Sequence, residues 1–279
     1  MQIDPHPNGF VADIVDVDVQ ALNEGKFETL YGAWLRYPIL RLRGQSLTDD
    51  VLKDFSSRFG PLEYAPMGRI SAEELAKHPN PYVATISNIV VDGKPIGGLG
   101  AAEAAWHTDM SYIERPPTAS LLYGVEVPER GGDTHFCNMV AALEAMPAGL
   151  AERLQTLSVK HDAAHDSVGK LRRGHRDAVD PRQAPGAIHP MVRTHPENGT
   201  EALFLGRRQD AYVVGLELAD SEALLDEVWS YVALEDAVWT QQWHRGDLVI
   251  WDNRSVMHRR AAFDPNARRL MRRTQVRAA

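Results

Sequence analysis

The sequence predicts a mainly β fold with flanking helices, built as an antiparallel double-sheet jelly roll. Short apolar segments bounded by proline and glycine, such as 121–127 and 134–138, are typical of strands. His107 and His258 carry the strongest metal-binding pattern and lie far apart in the chain, and the strand ends of a jelly roll can bring such positions together. The sequence contains no repeat, linker or low-complexity tract, so we expect a single domain over residues 1–279.

The first half of the chain alternates predicted strands and helices. Residues 38–43 alternate apolar and basic side chains, as in a half-buried strand. Residues 47–60 begin with a polar cap, carry apolar side chains at helical spacing and end in glycine, which predicts an amphipathic helix. A capping box at 71–74 predicts a second, short helix, and the β-branched residues of 83–91 predict another strand.

The second half contains two predicted helices and one long insertion. Helical spacing of apolar residues predicts helices at 139–157 and 221–231, and strand and turn follow at 239–276. Residues 160–196 are charged, hold five histidines and lack a clear period, so we expect an irregular insertion there. The turn-rich residues 92–100 precede the candidate metal ligands and predict either a mobile lid or an ordinary surface hairpin.

Composition indicates a globular protein without an electrostatic preference for nucleic acid or membranes. The 279 residues are 44% hydrophobic, enough for a sizeable core, and the formal net charge is -8. The N-terminus lacks a basic and apolar leader, and no stretch of about 18 apolar residues occurs. We therefore expect a cytoplasmic protein that binds neither nucleic acid nor membrane. Cys137 is the only cysteine, so an intramolecular disulfide is excluded.

A histidine and a carboxylate two residues apart form the most informative motif. In an extended strand, side chains at i and i+2 point to the same side, so His107 and Asp109 can bind one metal ion. His258 offers a second imidazole. Two imidazole nitrogens and one carboxylate are the ligand set of non-haem Fe(II) oxygenases, which leaves coordination positions open. His161 and His165, four residues apart, are a weaker candidate for a second metal site because no third ligand accompanies them.

Four motifs resemble those of the TauD/TfdA family of Fe(II)- and 2-oxoglutarate-dependent dioxygenases, in the family's order. They are His107–Asp109, Gly131–Thr134, Trp251–Arg254 with His258, and Arg268–Arg273. The resemblance covers roughly residues 39–277 and implies the family's double-stranded β-helix, a jelly-roll fold of the cupin type. It also implies that His107, Asp109 and His258 bind the iron.

The resemblance assigns further roles to residues near the C-terminus. Arg269 matches the arginine that binds the distal carboxylate of 2-oxoglutarate, and Thr134 matches a threonine that helps to bind the same carboxylate. A planar guanidinium suits this role because it can form two parallel hydrogen bonds to a carboxylate. Arg273 matches an arginine that lies near the iron and binds the acidic group of the substrate. The even spacing of Arg269 and Arg273 predicts that both lie on one face of a strand.

One position departs from the taurine-oxidising members of the family. These members have an asparagine four residues before the first iron ligand, where this chain has Glu103. A taurine substrate is therefore not indicated. Glu103 would either contact a cationic group of the substrate or face solvent.

The implied activity is hydroxylation of a C–H bond in a small anionic substrate, such as an aryloxyalkanoate, a sulfonate or an alkyl sulfate. Fe(II) is the implied cofactor, 2-oxoglutarate and O2 are the cosubstrates, succinate and CO2 are products, and ascorbate is an expected stimulant. Asp109 favours hydroxylation, because related halogenating enzymes carry a small residue in its place. A product hydroxylated beside an ether oxygen, a sulfonate or a sulfate ester would collapse to a carbonyl compound. Family members are commonly dimers or tetramers, so we expect a homo-oligomer.

Two other classes of protein fit part of the pattern. Imidazole and carboxylate also bind Zn(II), so a zinc-dependent hydrolase is one alternative. Arg269 and Thr134 argue against it, since a hydrolase needs no 2-oxoglutarate site. The other alternative is a non-catalytic jelly-roll protein that binds a small acid, and the complete set of metal ligands argues against that class.

Overall fold

The computed structural model describes residues 1–65 and 80–278, which form a mostly β structure with few helices. The strands, in chain order, are β1 (Gln2–Pro5), β2 (Val11–Val15), β3 (Ile39–Leu42), β4 (Ala84–Ser87), β5 (Val90–Val91), β6 (Lys94–Pro95), β7 (Gly98–Leu99), β8 (Ala104–His107), β9 (Ala119–Glu126), β10 (Thr134–Asn138), β11 (Ser158–Lys160), β12 (Ile188–Pro190), β13 (Val192–Thr194), β14 (Glu201–Leu203), β15 (Tyr212–Val213), β16 (Val238–Gln241), β17 (Leu248–Asp252), β18 (Val256–Arg260) and β19 (Leu270–Val276). The α-helices are α1 (Glu24–Arg36), α2 (Asp49–Ser57), α3 (Met139–Glu144), α4 (Ala148–Leu154) and α5 (Leu218–Trp229). The short helix predicted from residue 71 lies outside the described residues.

Two sheets contain most of the strands. The larger has eight strands in the order β1-β2-β3-β17-β9-β19-β4-β7, and the smaller has four in the order β16-β10-β18-β8. Neighbours in these sheets are antiparallel except for the β2–β3 and β4–β7 pairs. The remaining short strands pair as β12-β11-β15, β13-β14 and β5-β6.

The two sheets pack against each other through an apolar layer. Trp251 from the larger sheet and Phe136 from the smaller sheet are both fully buried, with ring centroids 5.4 Å apart. Met271 and Trp239 belong to the same buried cluster. The His258 ring lies 4.8 Å from the Trp251 ring and 6.0 Å from the Phe136 ring, measured between centroids. The apolar layer therefore contacts His258, one of the predicted metal ligands, and holds its ring in position.

Helices cover the other faces of both sheets. α1 and α2 pack on the larger sheet, where Leu30, Trp34 and Leu52 are buried in one cluster with Leu40. α3, α4 and α5 share a buried cluster with the smaller sheet, which includes Cys137. Burial raises the pKa of the Cys137 thiol to about 11, so this side chain packs as a small apolar group. No helix in the described part of the chain is long and apolar enough to cross a membrane.

The predictions for the longer elements of the first half are confirmed. β3 and α2 lie within the predicted segments 38–43 and 47–60. The Thr48 hydroxyl caps α2 by accepting a backbone hydrogen bond from its first turn. α1 has no counterpart among the predicted elements. It contains Gly25 and Gly32, which lower helix propensity, and it is stabilised by its buried face.

The prediction of one continuous helix at 139–157 is wrong. The chain forms α3 and α4 instead, and Pro147 lies between them. The proline ring and the missing N–H prevent α3 from continuing through this position. The strand predicted at 83–91 is likewise divided into β4 and β5, and the helix predicted at 221–231 begins earlier, as α5.

The predicted insertion at 160–196 is irregular in its centre and regular at its ends. β11 leads into it and β12 and β13 lie near its end, so the prediction is too wide. Between residues 161 and 187 the chain forms a single 3-10 turn, at Pro181–Gln183, and otherwise loops. The turn-rich segment 92–100 contains β6, which forms a short hairpin with the preceding β5, and β7, which pairs with β4. Motion of this segment as a lid stays a prediction.

We predict that Phe136→Ala destabilises the protein. Removing a fully buried phenylalanine leaves a cavity, which costs about 3–5 kcal/mol of unfolding free energy. Chemical denaturation measures this loss. Val179→Ala, at a fully exposed position, is the control and should change stability by less than about 0.5 kcal/mol. A Phe136→Ala protein as stable as this control would contradict the packing between the sheets.

Candidate active site

Strand pairing brings the three predicted metal ligands together. His107 ends β8, and its Cα partner across the β8–β18 ladder is His258. The two imidazole rings lie with their centroids 4.2 Å apart. Oδ1 of Asp109 is 3.8 Å from Nε2 of His107 and 4.0 Å from Nε2 of His258. Ligand atoms from the three residues all lie within 4.8 Å of one another, so they can bind a single metal ion.

Buried hydrogen bonds fix the position of Asp109. The Ser120 hydroxyl donates to Oδ2 of Asp109 at 2.7 Å. The Asn253 side chain accepts from the Asp109 N–H and donates to the Asp109 carbonyl, both at 2.9 Å. Its second N–H donates to the Pro117 carbonyl at 2.9 Å. Neither Ser120 nor Asn253 is among the predicted site residues, and a hydroxyl within the apolar strand β9 is the one sequence signal for Ser120.

Burial and charge give the three ligands the protonation states that metal binding requires. Burial lowers the pKa of His107 and lowers that of His258 to about 3, so both imidazoles are neutral at pH 7. Burial alone would raise the pKa of Asp109, but the Arg273 guanidinium and the two histidines hold it below its usual value. Nδ1 of His107 bonds the Ala105 carbonyl at 2.8 Å, which leaves Nε2 for the metal. Neutral imidazoles and a carboxylate are the ligating forms of these side chains.

The two arginines predicted to bind anions lie on the same side of the chain at β19. Arg269 immediately precedes the strand, and Arg273 lies within it, with the fully buried Met271 between them. Arg268 and Arg272 have the opposite parity and form ion pairs on the other side. This is the alternation that the even spacing of the two arginines predicts.

The Arg269 guanidinium is a buried cation that forms no ion pair within the described residues, although the Asp133 carboxylate is near enough for its charge to act on it. The residue is 2% exposed, and its Nε forms no hydrogen bond within the described residues. Burial, together with the charge of Arg260, lowers its pKa to about 9. The guanidinium carbon lies 5.9 Å from the centre of the Phe263 ring, and a Cβ at Gly132 would lie 3.3 Å from Nε. An anion such as a carboxylate would neutralise this buried cation and accept its hydrogen bonds.

Thr134 lies on the strand that borders these residues. Its Cα partner across the β10–β18 ladder is Arg260, whose charge acts on Arg269. Oγ1 of Thr134 accepts a hydrogen bond from Nε1 of Trp243 at 3.0 Å. Because this bond uses the oxygen as acceptor, the hydroxyl proton can still be donated to an anion.

A cavity of ≈ 910 Å³ lies beside the metal ligands. His107, Asp109 and Arg273 line it, and Nη1 of Arg273 donates to Oδ1 of Asp109 at 2.9 Å. Apolar side chains, including Ile86 and Met110, line another part of the wall. This volume is within the range of pockets that bind small organic ligands. The cavity can therefore hold a substrate next to the metal site.

The structure does not bring Glu103 to this cavity. Its carboxylate pairs with Nη1 of Arg259 at 2.7 Å, and the Glu103 side chain is 56% exposed. Glu103 is not among the described residues that line the cavity. Its position favours the solvated alternative.

A second cluster of histidine and carboxylates contains Asp162, His165 and Asp210. Oδ2 of Asp162 accepts hydrogen bonds from Nδ1 of His165, at 2.9 Å, and from Arg207. The Arg207 guanidinium already neutralises this carboxylate, so the cluster is an ion-pair network. His161, the other member of the predicted pair, packs among buried aromatic rings.

Comparison with known proteins identifies the family. A family model described as "Taurine catabolism dioxygenase TauD, TfdA family" matches residues 2–275. The chain is 33% identical over 275 residues to an alpha-ketoglutarate-dependent 2,4-dichlorophenoxyacetate dioxygenase of Cupriavidus pinatubonensis, covering 95% of this chain and 93% of the relative. It is 30% identical over 278 residues to an (S)-phenoxypropionate/alpha-ketoglutarate-dioxygenase of Sphingobium herbicidovorans, covering 94% and 90%. It matches the crystal structure of AAD-2 in complex with Mn(II) and N-oxalylglycine with a TM-score of 0.80 and 25% identity, covering 100% of this chain and 97% of that one.

The fold, the metal ligands and these matches define a class of enzyme, the metal-dependent dioxygenases. The chain belongs to the TauD/TfdA family, which confirms the resemblance found in the sequence. The family implies iron, 2-oxoglutarate and O2, and the residues of this chain fit that requirement. Two neutral imidazoles and a carboxylate suit Fe(II), and the Arg269 guanidinium suits a carboxylate of 2-oxoglutarate.

We predict that Asn253→Ala weakens metal binding although no ligand is removed. The substitution leaves the buried N–H and carbonyl of Asp109 without their partners, so the carboxylate is held less firmly. Loss of such support typically lowers metal affinity by roughly 10- to 100-fold. Calorimetric titration with Mn(II) measures the change.

Asn138→Ala is the matched control for this experiment. The Asn138 side chain also bonds to the backbone, but it accepts its two hydrogen bonds at the start of α3, away from Asp109. Both variants should lose stability, and Asn253→Ala alone should lose affinity for Mn(II). Equal affinities in the two variants would contradict the role assigned to Asn253.

Proposed function

We propose that the protein is an Fe(II)- and 2-oxoglutarate-dependent dioxygenase that hydroxylates a C–H bond of a small anionic substrate. The observation that carries this proposal is the Arg269 guanidinium, which is buried and forms no ion pair within the described residues. A zinc-dependent hydrolase has no use for such an anion site. We also propose that the two packed sheets form the double-stranded β-helix of the family, within one domain over residues 1–279.

His107, Asp109 and His258 would hold the iron. The protein keeps both imidazoles neutral and the carboxylate ionised, so no proton has to leave before metal binds. When bound, Fe(II) and 2-oxoglutarate supply the oxidising chemistry, in which O2 is consumed, succinate and CO2 are released and an oxygen atom enters the substrate. The remaining residues bind and orient the reactants.

Arg269 and Thr134 would orient the cosubstrate. The guanidinium can donate two parallel hydrogen bonds to the distal carboxylate of 2-oxoglutarate. The Thr134 hydroxyl can donate a third bond, because its oxygen already accepts from Trp243. These bonds are stronger in a buried setting than in water. Fixing one end of the molecule limits the orientations of its reactive 2-oxo acid group.

Arg273 is the group best placed to bind the acidic function of the substrate. It lines the cavity, and a guanidinium has more donors than its bond to Asp109 uses. Apolar wall residues such as Ile86 and Met110 suit an aryl or alkyl body. Two relatives named for dichlorophenoxyacetate and phenoxypropionate favour aryloxyalkanoates over sulfonates and alkyl sulfates. A carbon hydroxylated beside an aryloxy oxygen would then release the phenol and leave a carbonyl product.

Three expectations from the sequence stay predictions. Contact between Glu103 and the substrate has less support than solvation, because Arg259 pairs with this carboxylate. A homo-oligomer, either a dimer or a tetramer, remains to be tested by measurement of the molecular mass in solution. Location in the cytoplasm is the third.

Substrate-stimulated release of succinate tests the proposed function. The protein is incubated with Fe(II), ascorbate as the expected stimulant, 2-oxoglutarate and air, together with aryloxyalkanoates, alkanesulfonates or alkyl sulfates. We expect stimulation by one of these classes, and most strongly by aryloxyalkanoates. Hydrolysis of a compound without oxygen would indicate the zinc-dependent hydrolase. Failure to form succinate when iron is bound would contradict the proposal.

We predict that Arg269→Ala raises the KM for 2-oxoglutarate by roughly 100-fold, because two charge-assisted hydrogen bonds are lost. Affinity for Mn(II) should change far less, since Arg269 is not a metal ligand. Arg268→Ala is the matched control, because the neighbouring Arg268 pairs with Glu126 on the other side of the chain. An unchanged KM in Arg269→Ala would remove the assignment of the cosubstrate site.

A further inference from the structure

The irregular segment 165–175 contributes a basic wall to the cavity, defined here as Lys170, Arg172 and Arg173. The described cavity lining contains five permanently cationic side chains, which are these three with Arg207 and Arg273. It contains three carboxylates, which are Asp109, Asp162 and Asp166. Cationic side chains are therefore in excess even before any histidine is protonated.

The excess charge is concentrated in the basic wall. Arg273 pairs with Asp109 and Arg207 pairs with Asp162. Oδ1 of Asp166 accepts backbone N–H bonds of its own turn. In the described part of the chain, the basic wall forms no ion pair. These three cations are thus available to an anion inside the cavity.

Arg172 is the member of the wall that the protein holds in place. Its Nε donates to the His165 carbonyl at 3.0 Å, and its Nη1 donates to the Tyr112 hydroxyl at 2.8 Å. The guanidinium carbon also lies 4.1 Å from the centre of the Tyr112 ring. Because these contacts fix the guanidinium before a ligand binds, little side-chain entropy is lost on binding. Nη2 is left to donate to a ligand.

We propose that Arg172, supported by Lys170 and Arg173, binds a second acidic group of the substrate. The substrate is then an organic dianion, with one acidic group at Arg273 and the other at the basic wall. This inference rests on the proposed function and narrows its substrate class. The cavity of ≈ 910 Å³ has room for a molecule larger than a simple aryloxyacetate. A carboxylate, sulfonate or sulfate can all satisfy a guanidinium.

Matched monoanions and dianions test this inference. Phenoxyacetate is compared with 3-carboxyphenoxyacetate and 4-carboxyphenoxyacetate, which add a second carboxylate at two positions. KM is measured from succinate release, and the dissociation constant is measured by calorimetry with the Mn(II)-loaded protein. We expect at least one dianion to bind roughly 10- to 100-fold more tightly than phenoxyacetate, the range for hydrogen bonds to charged groups.

Variants show whether Arg172 causes the preference. Arg172→Gln should make the KM of each dianion similar to the KM of phenoxyacetate in the same variant, and Arg172→Lys should restore part of the preference because the charge returns. Arg176→Gln is the matched control, since Arg176 directly follows this segment, is exposed and does not line the cavity. Thermal unfolding of each variant separates loss of folding from loss of binding.

The outcomes separate this inference from the proposed function. No preference for either dianion, or a preference that Arg172→Gln retains, would overturn the second acidic group while succinate release upheld the dioxygenase. Absence of succinate with every compound would overturn the proposed function. In that case the calorimetric preference and its loss in Arg172→Gln would still support an anion site at the basic wall.

Discussion

The hydrogen bonds between the Asn253 side chain and the Asp109 backbone hold the two halves of the metal site together. His107 ends β8 and Asp109 lies in the turn that follows, whereas Asn253 and His258 lie on the β17–β18 hairpin. One carboxamide satisfies three buried backbone groups, each of which would cost about 1–3 kcal/mol if left unpaired. The β8–β18 ladder adds the direct pairing of His107 with His258. The ligand geometry is therefore set by backbone contacts before any metal binds.

The buried positive charge of Arg269, near this site, favours binding of an anion from outside the chain. Arg273 pairs with the Asp109 carboxylate and both imidazoles are neutral, whereas the buried Arg269 guanidinium forms no ion pair within the described residues. Buried unpaired charge is unfavourable, so ligands that neutralise it are bound with a gain in stability. A dicarboxylate would neutralise Arg269, and a divalent cation would be bound by the ligand atoms of the two neutral imidazoles and Asp109. The basic wall also carries cations in excess, and these lie around Arg172. It too favours binding of an anion.

The sequence predicts those parts of the site that depend on local spacing. The sequence predicts that His107 and Asp109 lie close together, although the reason differs: β8 ends at His107, and Asp109 lies in the turn that follows. The even spacing of Arg269 and Arg273 predicts their common orientation. The fold class follows from strand and turn signals of the same kind. The break between α3 and α4 at Pro147 could also have been predicted from the sequence, because proline cannot continue a helix.

Other parts of the site depend on contacts that local spacing does not encode. Asn253 acts on Asp109 from 144 residues away in the chain, and Ser120 contacts it from the next strand, β9. Arg172 lies in a segment without periodicity. Its proposed role in binding an anion depends on which cations form no ion pair in the folded chain. For Glu103, the sequence left contact and solvation open, and only the neighbouring strand shows that Arg259 pairs with it.

His107, Asp109 and His258 are proposed to form one metal site, on which the proposed activity depends. Electron paramagnetic resonance of Mn(II), titrated into the protein, measures metal binding most directly, because free Mn(II) gives a sharp signal that broadens strongly when the ion binds. We expect one Mn(II) to bind per chain in the wild type and this binding to be lost in His107→Ala. Undiminished binding in His107→Ala, at the same stoichiometry, would contradict the proposed metal site.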